Sequence, residues 1–190
     1  MIHDRSTITD PVRELLDEHV IFLAALEELV DVTARIDRDA AAIEPELIES
    51  MQRLWASVDM HLNVHFLKEE EIFFPAIERL FPSARVKFQF LHVDHDRLRD
   101  EFEHFTQLLM YARHDRLDAA SKDALRGVAA KMVRLFYYHI VAEDIVYLDV
   151  ASTMLTPEES RALSVRMHNL EERLRERCDA VSLEPGTREL

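Results

Sequence analysis

The chain has 190 residues, of which 37 are acidic and 23 are basic, so its formal net charge at pH 7 is −14. Such an excess of carboxylates excludes nucleic-acid binding by counterion release, which requires clustered lysine and arginine. Only two residues are glycine and ten are histidine, and the scarcity of glycine predicts an all-helical protein with few connections, because turns with positive φ depend on glycine.

Start and stop signals divide the chain into five predicted helices. Asp10 before a proline is typical of an N-cap, and the first helix is expected over about Pro11–Arg38. The second is expected over Pro45–Phe74, where Pro75 must kink or end it.

Pro82 and Ser83 precede the third predicted helix, and Ser121 opens the fourth, which runs to about Met154. The apolar positions predicted for the third helix are Val86, Phe90, Leu98, Phe102 and Leu109, and those for the fourth are Leu125, Met132, Leu135 and Ile145.

A capping box, Thr156-Pro157-Glu158-Glu159, starts the fifth helix. Its apolar stripe consists of Leu163, Met167, Leu170, Leu174 and Val181. This helix either covers the bundle or pairs with a second copy to form a homodimer. The predicted fold is an all-α, up-down-up-down four-helix bundle over residues 1–155, with an additional C-terminal helix and a loose tail over residues 156–190.

No stretch approaches the roughly 18 apolar residues of a membrane span, and the first residues lack the apolar run of a signal peptide. The single cysteine, Cys178, cannot form an internal disulfide. We therefore expect a cytoplasmic protein with no membrane and no nucleic-acid partner.

Each of the four main helices points at least one histidine along its apolar stripe, namely His19, His65, His95 and His139. Two helices also carry His-x-x-x-Glu, with Glu69 after His65 and Glu143 after His139. Residues four apart lie one above the other, so both can reach one metal. Burying two carboxylates beside imidazoles without a cation would cost several kcal/mol, and a metal removes that penalty.

Four imidazoles and two carboxylates are too many ligands for one tetrahedral zinc ion. They suit two five- or six-coordinate ions bridged by carboxylate, and the nitrogen-rich set favours iron, with manganese as the second choice.

Four segments together resemble the hemerythrin-like HHE cation-binding domain over about residues 12–155. They are Asp-Glu-His19, His65-Phe-Leu-Lys-Glu69-Glu-Glu-Ile-Phe-Phe-Pro75, Val-Asp-His95-Asp-Arg-Leu-Arg and His139-Ile-Val-Ala-Glu143-Asp-Ile-Val-Tyr-Leu. The resemblance implies a four-helix bundle around a non-haem di-iron centre, in which Glu69 and Glu143 bridge the two ions and the four inward histidines are terminal ligands. An oxo or hydroxo bridge between the ions is expected as well.

The sequence leaves open which residue serves as a fifth histidine ligand. Hemerythrins proper carry His-x-x-x-His in the third helix, whereas this chain has His92 and His95. His92 lies about 60° around the helix from His95 and is one candidate. His61, one turn before His65, is the other.

The last helix offers two carboxylates. Hemerythrins use His-x-x-x-x-Asp there, and Asp144 has that spacing from His139. Asp144 is about 140° around from His139 but Glu143 only about 40°, so Glu143 is favoured.

The remaining histidines, His3, His104, His114 and His168, are interpreted as bystanders. The site is expected to exclude water through an apolar lining of Phe22, Leu23, Ile72, Leu98 and Phe102. Tyr138 and Tyr147 are candidates to supply a hydroxyl near it.

Three functions fit this sequence. The first is binding or sensing of O₂ or a related small ligand, or the handling of iron and oxidative stress. The second is a di-iron redox enzyme acting on peroxide or nitric oxide, and the third is a metal-free helical interaction module.

Overall fold

The computed structural model describes the backbone of residues 10–37, 39–40, 42–114 and 118–182, and their side chains except at 84, 114, 146–154 and 177–182. The helices are α1 (Pro11–Ala34), α2 (Pro45–Lys68), α3 (Phe74–Leu80), α4 (Arg85–His114), α5 (Ala119–Met154) and α6 (Pro157–Ser182). A π-helical turn (Glu69–Phe73) joins α2 to α3, and a 3₁₀ turn (Pro82–Ala84) precedes α4. These residues include no β-strand.

Helices α1, α2, α4 and α5 form an up-down-up-down bundle, as predicted. Contacts between neighbouring helices show that they run in opposite directions, because the end of one helix lies beside the start of the other. The Lys68 ammonium at the end of α2 donates to Glu14 at the start of α1 over 2.8 Å. Between α2 and α4, Trp55 Nε1 donates to Thr106 Oγ1 over 2.8 Å, so these helices are also antiparallel.

Local capping explains where the helices begin. The Val12 amide donates to the Asp10 carboxylate over 2.9 Å, which confirms the predicted N-cap of α1. The capping box of α6 is also confirmed, since the Glu159 amide donates to Thr156 Oγ1 over 3.2 Å. The predicted start of α5 at Ser121 is wrong, because the Ser121 amide donates over 2.8 Å to Asp118, which precedes the helix. Helix α1 also ends before the predicted Arg38, a position outside the described residues.

The break predicted at Pro75 occurs, but it lies earlier in the chain. Regular α-helix ends at Lys68, and the Phe74 amide donates to the carbonyl of Glu69, five residues back. A proline inside a regular α-helix would lack one hydrogen bond and clash with the carbonyl four residues before it. The wider π-turn accommodates this break while the helix continues, and such turns are frequent at functional sites.

Helix α6 covers one end of the bundle. Its buried residues Leu163, Met167 and Leu170 pack in a cluster with residues from α1, α3 and α4. This geometry agrees with a covering role, whereas pairing with a second copy stays a prediction. The side chain of Val181 lies outside the described residues.

Three apolar positions expected in the core are instead exposed, namely Val86, Phe90 and Ile145. The buried side chain of His95 marks the face of α4 that is turned toward the core. Val86 lies about 180° around the helix from His95, and Phe90 lies about 140° around it, so both are on the outer side. Phe88 and Leu91 are buried in their place. Within the described part of the chain, no helix is long and apolar enough to cross a membrane.

Candidate metal centre

Six side chains from five elements meet inside the bundle. They are His19 on α1, His65 on α2, Glu69 on the π-turn, His95 on α4, and His139 and Glu143 on α5. Each is at most 2 % exposed. A buried set of this size needs a charge partner, because unpaired carboxylates would be strongly destabilising away from water.

The six side chains form two groups that share both carboxylates. His19 and His65 form the α1–α2 half, and His95 and His139 form the α4–α5 half. Within each half, the two imidazole nitrogens and one oxygen from each of Glu69 and Glu143 lie within 4.8 Å of one another.

Each carboxylate faces both halves. Glu69 places Oε1 3.4 Å from His65 Nε2 and Oε2 3.2 Å from His95 Nε2. Glu143 places Oε2 3.1 Å from His19 Nε2 and Oε1 3.1 Å from His139 Nε2. This is the arrangement that two ions bridged by two carboxylates require.

The other ring nitrogen of three histidines faces an outer carboxylate. His65 Nδ1 lies 2.7 Å from Glu18, His95 Nδ1 lies 2.6 Å from Glu70, and His19 Nδ1 lies 3.4 Å from Asp144. An ionised carboxylate only accepts hydrogen bonds, so the Nδ1 atoms of His65 and His95 donate to Glu18 and Glu70, and their Nε2 atoms face the centre. His19 Nδ1 makes no hydrogen bond to Asp144 at its longer distance. His139 Nδ1 has no hydrogen-bond partner among the described residues.

The carboxylates of the centre stabilise positive charge on the imidazoles beside them. Burial alone lowers the pKa of His95, but Glu143, Glu69 and Glu70 raise it to about 11. Burial also lowers the pKa of His19, which Asp144 and Glu143 raise to about 10. Burial raises the pKa of Glu143, yet the surrounding imidazoles hold it well below its usual value. Glu143 is therefore ionised, and the imidazoles of His19 and His95 are cationic in the metal-free chain at neutral pH.

The donor set fits one metal ion in each half of the centre. His19 Nε2 lies 3.1 Å from His65 Nε2, and His95 Nε2 lies 3.1 Å from His139 Nε2. Two nitrogens bound at right angles to one ion at roughly 2.1 Å would be separated by about 3.0 Å. The two imidazole nitrogens of each half are therefore close enough to bind the same cation.

Phenylalanine rings surround the histidines. Phe66 stacks on His95 with centroids 4.1 Å apart, and Phe22 meets His65 edge-on at 5.2 Å. Phe136 contacts His139 at 6.1 Å. Of the predicted lining, Phe22, Ile72, Leu98 and Phe102 are buried and Leu23 is partly buried. Phe66 and Phe136 were missed, although Phe66 directly follows a predicted ligand in the sequence.

The two candidates for a fifth histidine lie outside the two groups. His92 is 42 % exposed and its Nδ1 lies 3.9 Å from Glu70, the carboxylate that also holds His95. His61 is exposed, and its Nδ1 lies 2.6 Å from the carbonyl of Ser57. It lines a cavity of about 520 Å³ between α1, α2 and α6.

None of the other candidates whose side chains the structure describes belongs to the two groups. Tyr138 is exposed, so the expectation that it supplies a hydroxyl there is wrong, because its helix face points away from the core. The side chain of Tyr147 lies outside the described residues. The four bystander histidines comprise His104 and His168, which are exposed, and His3 and the side chain of His114, which lie outside the described part.

The outer carboxylates Glu18, Glu70 and Asp144 were not predicted individually. Each one neighbours an inner residue in the sequence but contacts a histidine on a different helix. Glu18 precedes His19 yet holds the ring on α2. A carboxylate directly beside a candidate ligand was the signal that could have found them.

Comparison with known proteins agrees with this geometry. A family model described as Hemerythrin HHE cation binding domain matches residues 10–151, a range that contains all six inner residues. No match was found among curated proteins or among solved structures. The match spans well over half of the chain, and the buried histidine and glutamate groups are able to hold metal. The chain therefore belongs to the hemerythrin HHE cation-binding domain family.

Proposed function

We propose that this protein holds two non-haem iron ions and binds O₂ or a related small ligand at them. The observation that carries the proposal is that Glu69 and Glu143 each give one oxygen to either half of the centre. A shared carboxylate pair serves two ions of the same kind better than one, and imidazole with carboxylate suits iron.

The proposed ligands are the six inner residues, with His19 and His65 on one ion, His95 and His139 on the other, and Glu69 and Glu143 bridging them. Two iron ions would supply redox-active metal that exchanges electrons with a small ligand at an open coordination position. Substitution of His92 or His61 by alanine is expected to leave two metals bound, because neither side chain lies in the two fully buried groups; His92 belongs only to a third, partly exposed group with Glu70 and His95.

The chain itself orients the imidazoles and excludes water. Glu18 and Glu70 fix the planes of His65 and His95 through their Nδ1 atoms, as outer carboxylates do in metal sites generally. Phe22, Phe66 and Phe136 contact the rings and keep the centre apolar, which limits proton access to a bound ligand.

The carboxylates that orient the imidazoles are held in their ionised form. Burial raises the pKa of Glu70, but His95 and Arg99 lower it below the ordinary value. Burial likewise raises the pKa of Glu18, which His65 and Lys68 lower below the ordinary value. Both outer carboxylates are therefore ionised at neutral pH, the form that accepts a hydrogen bond from each imidazole.

Stopped-flow absorbance of the ferrous protein, mixed with O₂ and separately with H₂O₂, tests the proposal. A charge-transfer band that forms with O₂ and reverses under argon supports ligand binding. Rapid peroxide consumption with O₂ release would instead assign a catalase-like enzyme. Metal analysis of protein from cells supplied with both iron and manganese decides between these ions, and a purified chain without metal would overturn the proposal.

A further inference from the structure

A buried lysine lies directly behind the α1–α2 half of the centre. Lys68 is 1 % exposed. Its ammonium contacts three carboxylates: Glu14 at 2.8 Å, Glu18 at 2.7 Å and Glu171 at 3.1 Å. A buried ammonium is stable only while such partners surround it.

One of these carboxylates links the lysine to the centre. Glu18 accepts from Lys68 with Oε1 and from His65 Nδ1 with Oε2 over 2.7 Å. Both oxygens of the Glu18 carboxylate are therefore held by hydrogen bonds. Loss of the lysine would free the carboxylate to turn away from the imidazole. The orientation of His65 depends on that contact.

Another of the carboxylates comes from the C-terminal helix. Glu171 lies on α6, beyond the residues 10–151 that match the family. A continuous chain of contacts runs from Glu171 through Lys68 and Glu18 to His65. Arg175, on the exposed side of α6, also donates to Glu171 over 2.8 Å. This hydrogen bond helps to orient the Glu171 carboxylate toward Lys68.

We propose that Lys68 is a positioning residue through which helix α6 sets the metal affinity of the α1–α2 half of the centre. The inference rests on the proposed function in one respect, namely that the centre holds two metal ions. It adds that the two ions differ in their dependence on α6.

The α4–α5 half has a matching arrangement without α6. Arg99 donates to Glu70 over 2.8 Å, and the same Glu70 oxygen lies 2.6 Å from His95 Nδ1. Both residues come from the region that the family match covers. Removing the Glu171 carboxylate should therefore leave the ion at His95 and His139 bound as before.

Charge removal on α6 tests the inference with little change of shape. Glu171→Gln deletes the carboxylate charge next to Lys68. Glu172→Gln is the matched control, since that side chain is 57 % exposed and pairs with His168 on the surface. Lys68→Met removes the link itself, and Lys68→Arg keeps the charge.

The measurement is anaerobic titration of each metal-free variant with Fe(II) against a competing chelator of known affinity, which yields two stepwise dissociation constants. We expect Glu171→Gln to weaken one constant by about 10-fold and Lys68→Met by about 10- to 100-fold. The second constant should stay within about twofold, and Lys68→Arg should recover most of the loss. Mössbauer spectra of ⁵⁷Fe-loaded Glu171→Gln should show one altered iron signal and one unchanged.

Equal weakening of both constants would assign Lys68 a general structural role and overturn the inference. Unchanged constants in Glu171→Gln, in a wild-type chain that binds two ions, would overturn it as well and leave the proposed function intact. A wild-type chain that binds fewer than two ions would overturn both. If Lys68→Met does not fold, the comparison of Glu171→Gln with Glu172→Gln decides alone.

Discussion

Glu143 and Asp144 are neighbours on α5, and exchanging each for alanine should have very different effects on metal binding. Glu143 is fully buried and contacts His19 and His139 through separate oxygens, each at 3.1 Å. Asp144 approaches only the outer nitrogen of His19, at 3.4 Å, and its side chain is 38 % exposed. Glu143→Ala removes an oxygen from both halves, whereas Asp144→Ala removes a support from one ring.

The size of each effect follows from these contacts. Removing one partner of a buried charge pair costs about 3–5 kcal/mol, which corresponds to roughly 150- to 5,000-fold in a dissociation constant. Losing an outer carboxylate weakens metal binding by roughly 10- to 100-fold. The long and partly exposed contact of Asp144 places its effect near the lower figure, so the two variants should differ by at least about tenfold.

The assay counts iron per chain after loading with Fe(II) and passage over a chelating column. Asp144→Ala should retain two ions and Glu143→Ala fewer than two, while circular dichroism checks that both variants remain helical. Two ions per chain in Glu143→Ala would refute the bridging assignment. Loss of both ions in Asp144→Ala, with Glu143→Ala unaffected, would identify Asp144 as the bridge.

Three further predictions concern stability and protonation. Gly127→Ala on α5 should raise the unfolding free energy by roughly 0.5–1 kcal/mol, because an added Cβ meets no atom within 4 Å; an unchanged or lower thermal midpoint would contradict this. Thr156→Ala should destabilise α6 by about 1 kcal/mol through loss of its cap, seen as faster hydrogen exchange in α6 but not in α4. Metal binding at pH 7 should release protons, because the pKa values of about 10 for His19 and about 11 for His95 keep both rings protonated in the metal-free chain. Calorimetry in buffers of different ionisation enthalpy should show this release decline as the pH rises through these values, and no release at pH 7 would be inconsistent with it.

The inner residues could be predicted because helical periodicity fixes which positions share a face. His65 with Glu69, and His139 with Glu143, need only the spacing of one turn. The sequence alone could not decide whether His92 is a ligand, since a rotation of about 60° on a helix is compatible with several side-chain directions. The structure brings His92 to Glu70, an interaction across elements that no single helix encodes.

The burial of two lysines could not be predicted from the sequence either. Lys68 and Lys122 are both 1 % exposed, although lysine is among the residues least often buried. Lys122 donates over 3.1 Å to the carbonyl of Asp37 in the connection after α1. Their partners lie on other elements, so burial became visible only once the helices were assembled.

The two halves of the centre resemble each other in form but differ in the cation that holds the outer carboxylate. Arg99 is 34 % exposed, keeps part of its hydration, and lies 5.2 Å from the ring centroid of Phe66. Lys68 has lost its hydration and depends on carboxylates from α1 and α6. Loss of the α6 carboxylate is therefore expected to weaken the proposed ion of the α1–α2 half more than the other. This asymmetry gives an otherwise paired centre two metal positions that can differ in affinity.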